Sequence, residues 1–238
     1  MTLVRSLAFN LAFYLWTLFA ATVTLPILLA PYGLAQATLN GWAKVVTWLL
    51  RVVGGVRVEV RGREHVPTGA ALVAPKHQCM FDIFGSIAVL PAGCYVLRKE
   101  LMRIPIFSWW AWKCHMIVID REGGSKALRH MLRETHERLA EAPRQVVIFP
   151  EGTRGKPGRA GEYQPGVAAL YRDIELPCVP VALNSGVHWQ KGGLALKPGT
   201  IVFEFLEPLP AGMKRAEFMR ELEARLEAAS NALLAEGV

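Results

Sequence analysis

From Ser6 to Ala43 the chain has no Lys, Arg, Asp, Glu or His, and Leu7 to Ala30 is nearly all apolar. Such a stretch is too uniformly apolar for an ordinary amphipathic surface helix, and it meets the roughly 20-residue requirement for crossing a bilayer. A cleaved signal peptide fits poorly, because the run exceeds the usual apolar region of about 7–15 residues and no clear small-x-small site closes it. The four cysteines, Cys79, Cys94, Cys114 and Cys178, form no C-x-x-C pair. Their scatter argues against a disulfide framework and offers no metal-ligand spacing, so no metal site is expected. There is also no G-x-S-x-G elbow, which removes the usual sign of a serine hydrolase. Net charge is +7, yet no RNP-like, zinc-finger or helix-turn-helix signature accompanies it. Anionic lipid headgroups are the simpler partner for a basic chain that carries a membrane segment, and no nucleic acid is expected.

Mean hydropathy is +0.26, and the apolar excess sits at the N-terminus. Pro26 and Pro31 interrupt the first apolar run, and a second follows from Ala37 to Val53. Trp42, Lys44, Trp48 and Arg51 in that second run are residue types that sit at headgroup depth. A helical hairpin dipping into one leaflet therefore fits as well as a span. Cations are denser after the segment (Lys44, Arg51, Arg57, Arg61, Arg63) than before it (Arg5). That bias predicts an inner or plasma membrane location with the following domain on the cytoplasmic face. The expected organisation is a membrane-embedded segment, 1–53, followed by one catalytic domain, 54–238.

Beyond the membrane segment, apolar or alternating runs recur at Val56–Val60, Ala71–Ala74, Cys94–Leu97, Met116–Ile119, Gln145–Phe149, Cys178–Leu183 and Ile201–Leu206. Most read as strands, several of them buried on both faces. Helical spacing runs from Ser125 to Ala142, with Leu128, Met131, Leu132, Thr135 and Leu139 on one stripe, and again from Ala216 to Ala235. Strands alternating with helices predict an α/β fold: a mostly parallel or mixed central sheet flanked by helices, the last strands being candidates for antiparallel pairing. Between Gly152 and Gly166 lie five glycines, two prolines and the cations Arg154, Lys156 and Arg159. A loop of that composition beside a charged motif reads as a functional lid.

Three segments carry chemistry. Lys76-His77-Gln78-Cys79-Met80-Phe81-Asp82 follows an apolar strand and precedes the helical run Ile83–Leu90. On one continuous helix His77 and Asp82 would point about 140° apart, whereas a strand-loop-helix lets them meet. Asp82 would then fix the imidazole tautomer while the other ring nitrogen takes a proton from a hydroxyl. Spacing alone fits equally a surface histidine beside a helix N-cap. The second, Phe149-Pro150-Glu151-Gly152-Thr153-Arg154, releases a buried strand into the glycine-rich loop; Arg154 could grip a phosphate through two donors. A turn with a surface ion pair is the plain alternative. The third, Met116 to Arg121, again ends an apolar strand on an arginine.

In this order and spacing, and together with the buried strand Val179–Leu183, these segments resemble the 1-acylglycerol-3-phosphate acyltransferase family of glycerolipid acyltransferases, from about Arg61 to Pro208. H-x4-D at His77 and Asp82 is weak alone but specific jointly with FPEGTR at Phe149 to Arg154. The resemblance implies the glycerolipid acyltransferase fold, His77 as general base and Asp82 as its partner. It also implies an acceptor site lined by Glu151, Gly152, Thr153 and Arg154, with Arg121 joining Arg154 at the phosphate. The implied reaction moves a fatty-acyl group from acyl-CoA or acyl-carrier protein to a lysophospholipid hydroxyl, giving phosphatidic acid, with no metal and no cofactor. Two positions depart from the family's usual pattern: Cys79 stands where Ser is common, and His115 where Gly is usual. Acylation of another lysolipid, such as a lyso-aminolipid, and a non-catalytic membrane-anchored lipid-binding protein are the alternative functions. Cys79, two residues from His77, also leaves a thiol nucleophile to be tested.

Overall fold

The computed structural model describes residues 2–190 and 192–237. The apolar N-terminus forms α1 (Thr2–Val23), a tight turn at Leu25–Leu29 containing Pro26, and α2 (Tyr32–Leu49). Pro31 opens α2, where its missing N–H costs nothing. The two helices form an antiparallel hairpin. Trp42 Nε1 donates to Thr17 Oγ1 at 3.3 Å, and Arg5 Nε reaches the carbonyl of Val53 at 3.1 Å, tying the start of α1 to the end of α2. Among the described residues, α1 is the only helix long and apolar enough to cross a membrane, over Leu3–Val23, and just 22% of that window is buried. Leu3, Leu7, Leu11, Leu15, Leu18 and Phe19 of α1 are exposed. Phe9 and Phe13, on its other face, are buried in the same hydrophobic cluster as Ala43, Val46 and Leu50.

All seven expected strands are present: β1 (Val56–Arg61), β2 (Ala71–Pro75), β3 (Gly93–Arg98), β4 (Ile117–Ile119), β5 (Gln145–Val147), β6 (Cys178–Leu183) and β7 (Gly199–Phe205). They form one mixed sheet in the order β1-β7-β6-β2-β5-β3-β4. Five strands run parallel; β7 is antiparallel to β6 and carries β1 alongside it in parallel. The expected strand at Gln145–Phe149 stops at Val147, because the chain turns away through Pro150 toward the site.

Each sheet face has its own core. Val73, Val147, Val181 and Phe203 pack beneath the hairpin and α3 (Phe81–Val89). Leu72, Val146 and Cys178 pack against α5 (Gly124–Glu141), α6 (Pro165–Ile174) and α8 (Arg215–Ala235). Adjacent residues Leu72 and Val73 thus serve opposite faces, which is why the central strands read as continuous apolar runs rather than alternating ones. The stripe expected on Ser125–Ala142 is the buried side of α5, with Met131 and Thr135 fully enclosed.

Three helices escaped the sequence reading, the last of them a single turn, α7 (Ser185–His188), just beyond β6. The first, α4 (Phe107–Lys113), follows a sharp turn at Ile106, whose φ is +64°. In the second, α6, Pro165 occupies the first turn, so the glycine-rich loop ends at Gln164 and Gly166 is already helical. A close approach at Gly85 sets the depth of α3. A Cβ there would lie 2.2 Å from the Phe203 ring, so only glycine lets the helix settle onto β7 with Asp82 at its buried end.

Candidate active site

The expected residues converge at the carboxyl ends of β2, β5 and β4, the edge where α/β sheets place ligands. His77 leaves β2 in a short loop, and Asp82 sits in the first turn of α3. The break between strand and helix brings His77 Nδ1 to 3.0 Å from Asp82 Oδ2. Asp82 is fully buried, and both its oxygens are engaged. Oδ2 also accepts from the backbone N–H of Gln78 at 2.6 Å and of Cys79 at 2.7 Å; Oδ1 accepts from the Ser185 hydroxyl and, at 3.5 Å, from the Cys79 thiol. The carboxylate thus has a hydrogen-bond partner on every side of its buried pocket. The amides that Asp82 binds belong to the loop after β2 rather than to the helix end, which argues against the plain N-cap reading. The imidazole lies against the Phe149 ring, centroids 4.2 Å apart and planes 28° apart, which fixes its plane as Asp82 fixes its rotation.

Glu151 faces inward. Its Oε2 accepts from the His77 backbone N–H at 3.0 Å, and its Oε1 lies 2.7 Å from Lys76 Nζ. Lys76, itself only 2% exposed, also pairs with Glu227 of α8, which in turn accepts from the Tyr163 hydroxyl at 3.0 Å. A buried cation between two carboxylates couples the C-terminal helix to the loop that carries His77. Removing one member of such a group costs about 3–5 kcal/mol. The carboxylate expected to line the acceptor site is thus turned toward the protein interior, where it braces the backbone of the histidine.

The other expected residues lie across β5. Arg121, just beyond β4, donates to the carbonyl of Gly152, so the two arginine-bearing segments meet. Partial burial first, and the neighbouring Arg98 cation second, lower the Arg121 pKa from the ordinary arginine value. Gly152 adopts φ +65°, a conformation that favours glycine, and Thr153 is exposed beside the partly exposed Arg154. The following loop is docked rather than loose: Gly155 N–H donates to the His77 carbonyl at 2.8 Å, and Gln164 N–H to the Pro150 carbonyl at 2.8 Å.

Ser185, Glu227 and Arg98 were absent from the sequence reading, and Lys76 stood in the first motif without a role. Arg98 ends a strand as Arg121 does, so the same logic could have found it. Nothing local marks Glu227, which lies 151 residues from Lys76. His115 adopts φ +57°, which explains why glycine is usual at this position in the family it resembles.

Cys79 is fully enclosed, and burial first and the Asp82 charge second push its thiol well above the usual pKa. It is a poor nucleophile in this setting, because the thiolate is the reactive form. Cys79→Ser keeps a donor to Asp82, so we expect acyl transfer within about threefold of wild type in a purified assay. A loss of about a hundredfold or more would revive the thiol nucleophile.

Comparison with known proteins agrees with this geometry. A sequence profile of the family described as Acyltransferase matches residues 57–184. The 1-acyl-sn-glycerol-3-phosphate acyltransferase of Pseudomonas aeruginosa is 34% identical over 197 residues, covering 83% of this chain and 76% of its own length. The human 1-acyl-sn-glycerol-3-phosphate acyltransferase alpha is 29% identical over 180 residues, 74% of this chain and 62% of its own. The crystal structure of the 1-acyl-sn-glycerophosphate acyltransferase PlsC from Thermotoga maritima superposes with a TM-score of 0.82 over 99% of this chain and 98% of that one; at 22% identity, the match speaks for the fold. With a family profile spanning the strands that carry His77, Arg121 and Arg154, and a relative above 30% identity over most of both chains, this protein belongs to the acyltransferase family.

Proposed function

We propose that the protein acylates 1-acylglycerol-3-phosphate from a fatty-acyl thioester, giving phosphatidic acid. The observation that carries this reading is the His77–Asp82 pair, flanked by the Arg121 and Arg154 segments. With Nδ1–H committed to a buried carboxylate, Nε2 is the nitrogen left to accept a proton. His77 takes the proton from the free hydroxyl as its oxygen attacks the thioester carbonyl. The new C–O bond forms, the C–S bond breaks, and the proton held on His77 passes to the departing thiolate. The thioester is already a reactive donor, so these steps balance without a further reagent. Arg154 and Arg121 hold the acceptor phosphate. The exposed face of α1 is read as sitting in the bilayer, with the sheet on the cytoplasmic side, where lysolipid and thioester both reach the same histidine.

A purified assay with a panel of labelled lysolipids and both acyl-CoA and acyl-carrier protein tests this reading directly. A charged hydrogen bond contributes about 1.5–3 kcal/mol, or roughly 10–150-fold. Arg154→Ala is therefore expected to lower kcat/KM for lysophosphatidic acid by that factor and to remove its preference over a phosphate-free lysolipid, leaving donor affinity nearly unchanged. Arg154→Lys restores only part, since an ammonium lacks the planar fork that meets two phosphate oxygens. Weakening of the donor alone would move Arg154 to the thioester side.

A further inference from the structure

Across β2 from the strands that carry Arg98 and Arg121, a cavity of about 600 Å³ opens beside the catalytic loop. It is lined by Gln78, immediately after His77, by Gly155 and Lys156 of the glycine-rich loop, by Gly186 and Val187 just beyond β6, and by Lys197. A second hollow of about 250 Å³ shares Val187 and Lys197 with it and continues toward Leu233 and Leu234 of α8. Together they form a trough that runs from Gln78, the residue after His77, toward α8. Its position follows from topology. β2 and β6 are neighbours, yet the chain leaves β2 toward β3 on one side and leaves β6 toward β7 on the other. Adjacent strands whose connections diverge leave a crevice at their carboxyl ends, where open α/β sheets bind ligands.

The walls are built to stay apart. Gln78 is buried, donating to the Leu183 carbonyl at 3.0 Å and accepting from the Gly186 N–H at 2.9 Å, so the loops after β2 and β6 are clamped together at the floor. A Cβ on Gly186 would come within 2.8 Å of Pro157 and 2.9 Å of Gln78, so only glycine allows the glycine-rich loop to dock here. The charged groups lining the cavity are Lys156 and Lys197, with no carboxylate among the described lining residues. The trough therefore offers an uncharged polar floor and a cationic rim, in a volume typical of small-molecule sites.

We infer that this trough is the donor subsite, taking the phosphopantetheine arm of the acyl thioester with Lys156 and Lys197 at its phosphate. This rests on the acyl-transfer reading above. Two substrates must reach one histidine at once; Arg121 and Arg154 hold the acceptor on the β4 side, so the donor enters from the β6 side. The pantetheine arm, a thin chain with two amides between the sulfur and the phosphate, suits a narrow trough floored by amide and backbone groups.

The test is steady-state kinetics on the full-length protein and on Lys156→Ala/Lys197→Ala with three donors: acyl-CoA, acyl-carrier protein, and the phosphate-free thioester acyl-N-acetylcysteamine. In the double variant the KM for acyl-CoA is expected to rise about tenfold or more, corresponding to roughly one charged hydrogen bond, with acceptor KM and the acyl-N-acetylcysteamine reaction unchanged. The salt dependence of the acyl-CoA KM should flatten as the cations are lost. A matching rise with acyl-carrier protein assigns the lysines to the shared phosphopantetheine phosphate; a rise with acyl-CoA alone assigns them to its nucleotide end. The first result upholds the proposal; the second overturns the placement of the lysines at the phosphopantetheine phosphate. An unchanged donor KM, or a rise in acceptor KM instead, overturns the subsite while leaving the acyltransferase reading intact. That reading fails separately if the wild-type protein transfers no acyl group from any of the three donors.

Discussion

His77→Ala is expected to abolish acyl transfer while leaving the protein folded. General base catalysis contributes about 10²–10⁴-fold, and this side chain also sits where hydroxyl and thioester must meet, so the loss in kcat should reach the upper end of that range. The fold should survive because the loop is held by its backbone: the His77 N–H bonds to Glu151, and its carbonyl accepts from Gly155. Neither contact needs the imidazole. Removing the ring does strip one contact from Phe149, which predicts a small fall in Tm and no change in far-ultraviolet circular dichroism. Turnover near the wild-type rate in a folded His77→Ala protein would remove the central catalytic assignment.

Asp82→Asn isolates the charge from the geometry. The amide can keep its carbonyl oxygen toward His77 Nδ1 and the Gln78 and Cys79 amides, turning its NH₂ toward Ser185, whose hydroxyl can rotate to accept. The loop should therefore hold its shape. What disappears is the negative charge that, in the proposed reaction, stabilises the imidazolium formed during attack. The equivalent substitution in a Ser-His-Asp triad lowers kcat by about 10⁴, and a fall of about 10³–10⁴ with little change in either KM is expected here. Asp82→Ala should in addition destabilise the fold, because it strands buried backbone donors at about 1–3 kcal/mol each. Chemical denaturation alongside kinetics separates the two variants. An Asn variant with an unchanged rate would reduce Asp82 to a structural anchor of the loop.

The fold was legible where burial imposes a pattern. The central strands announce themselves because strands covered on both faces must be apolar throughout, the edge strand β1 because it alternates, and α5 and α8 because each buries one stripe and solvates the other. Less legible were α4, whose run of aromatics around Trp109, Trp110 and Trp112 shows no clean period, and α6, which begins with a proline inside a segment whose glycines read as loop. In the site, His77, Arg121 and Arg154 could be found because each follows an apolar strand, where a polar residue has no packing reason to stand, and Asp82 because it opens the helix five residues beyond His77.

Sequence alone determined the strands, the amphipathic helices α5 and α8, and the apolar N-terminal helix. It allowed His77 to meet Asp82 by placing a strand-to-helix break between them, while leaving open a surface histidine beside a helix cap. Tertiary structure decided everything that depends on distant segments meeting. Residues 103 apart in the chain put the Ser185 hydroxyl on Asp82, and residues 151 apart put Glu227 on Lys76. It also turned Glu151 inward as a brace and left a lysine-rimmed trough across β2 from Arg121. Local propensity cannot encode such contacts, because they are set by which strands become neighbours. In this sheet β2 lies between β5 and β6, so the loops after all three strands must share one edge.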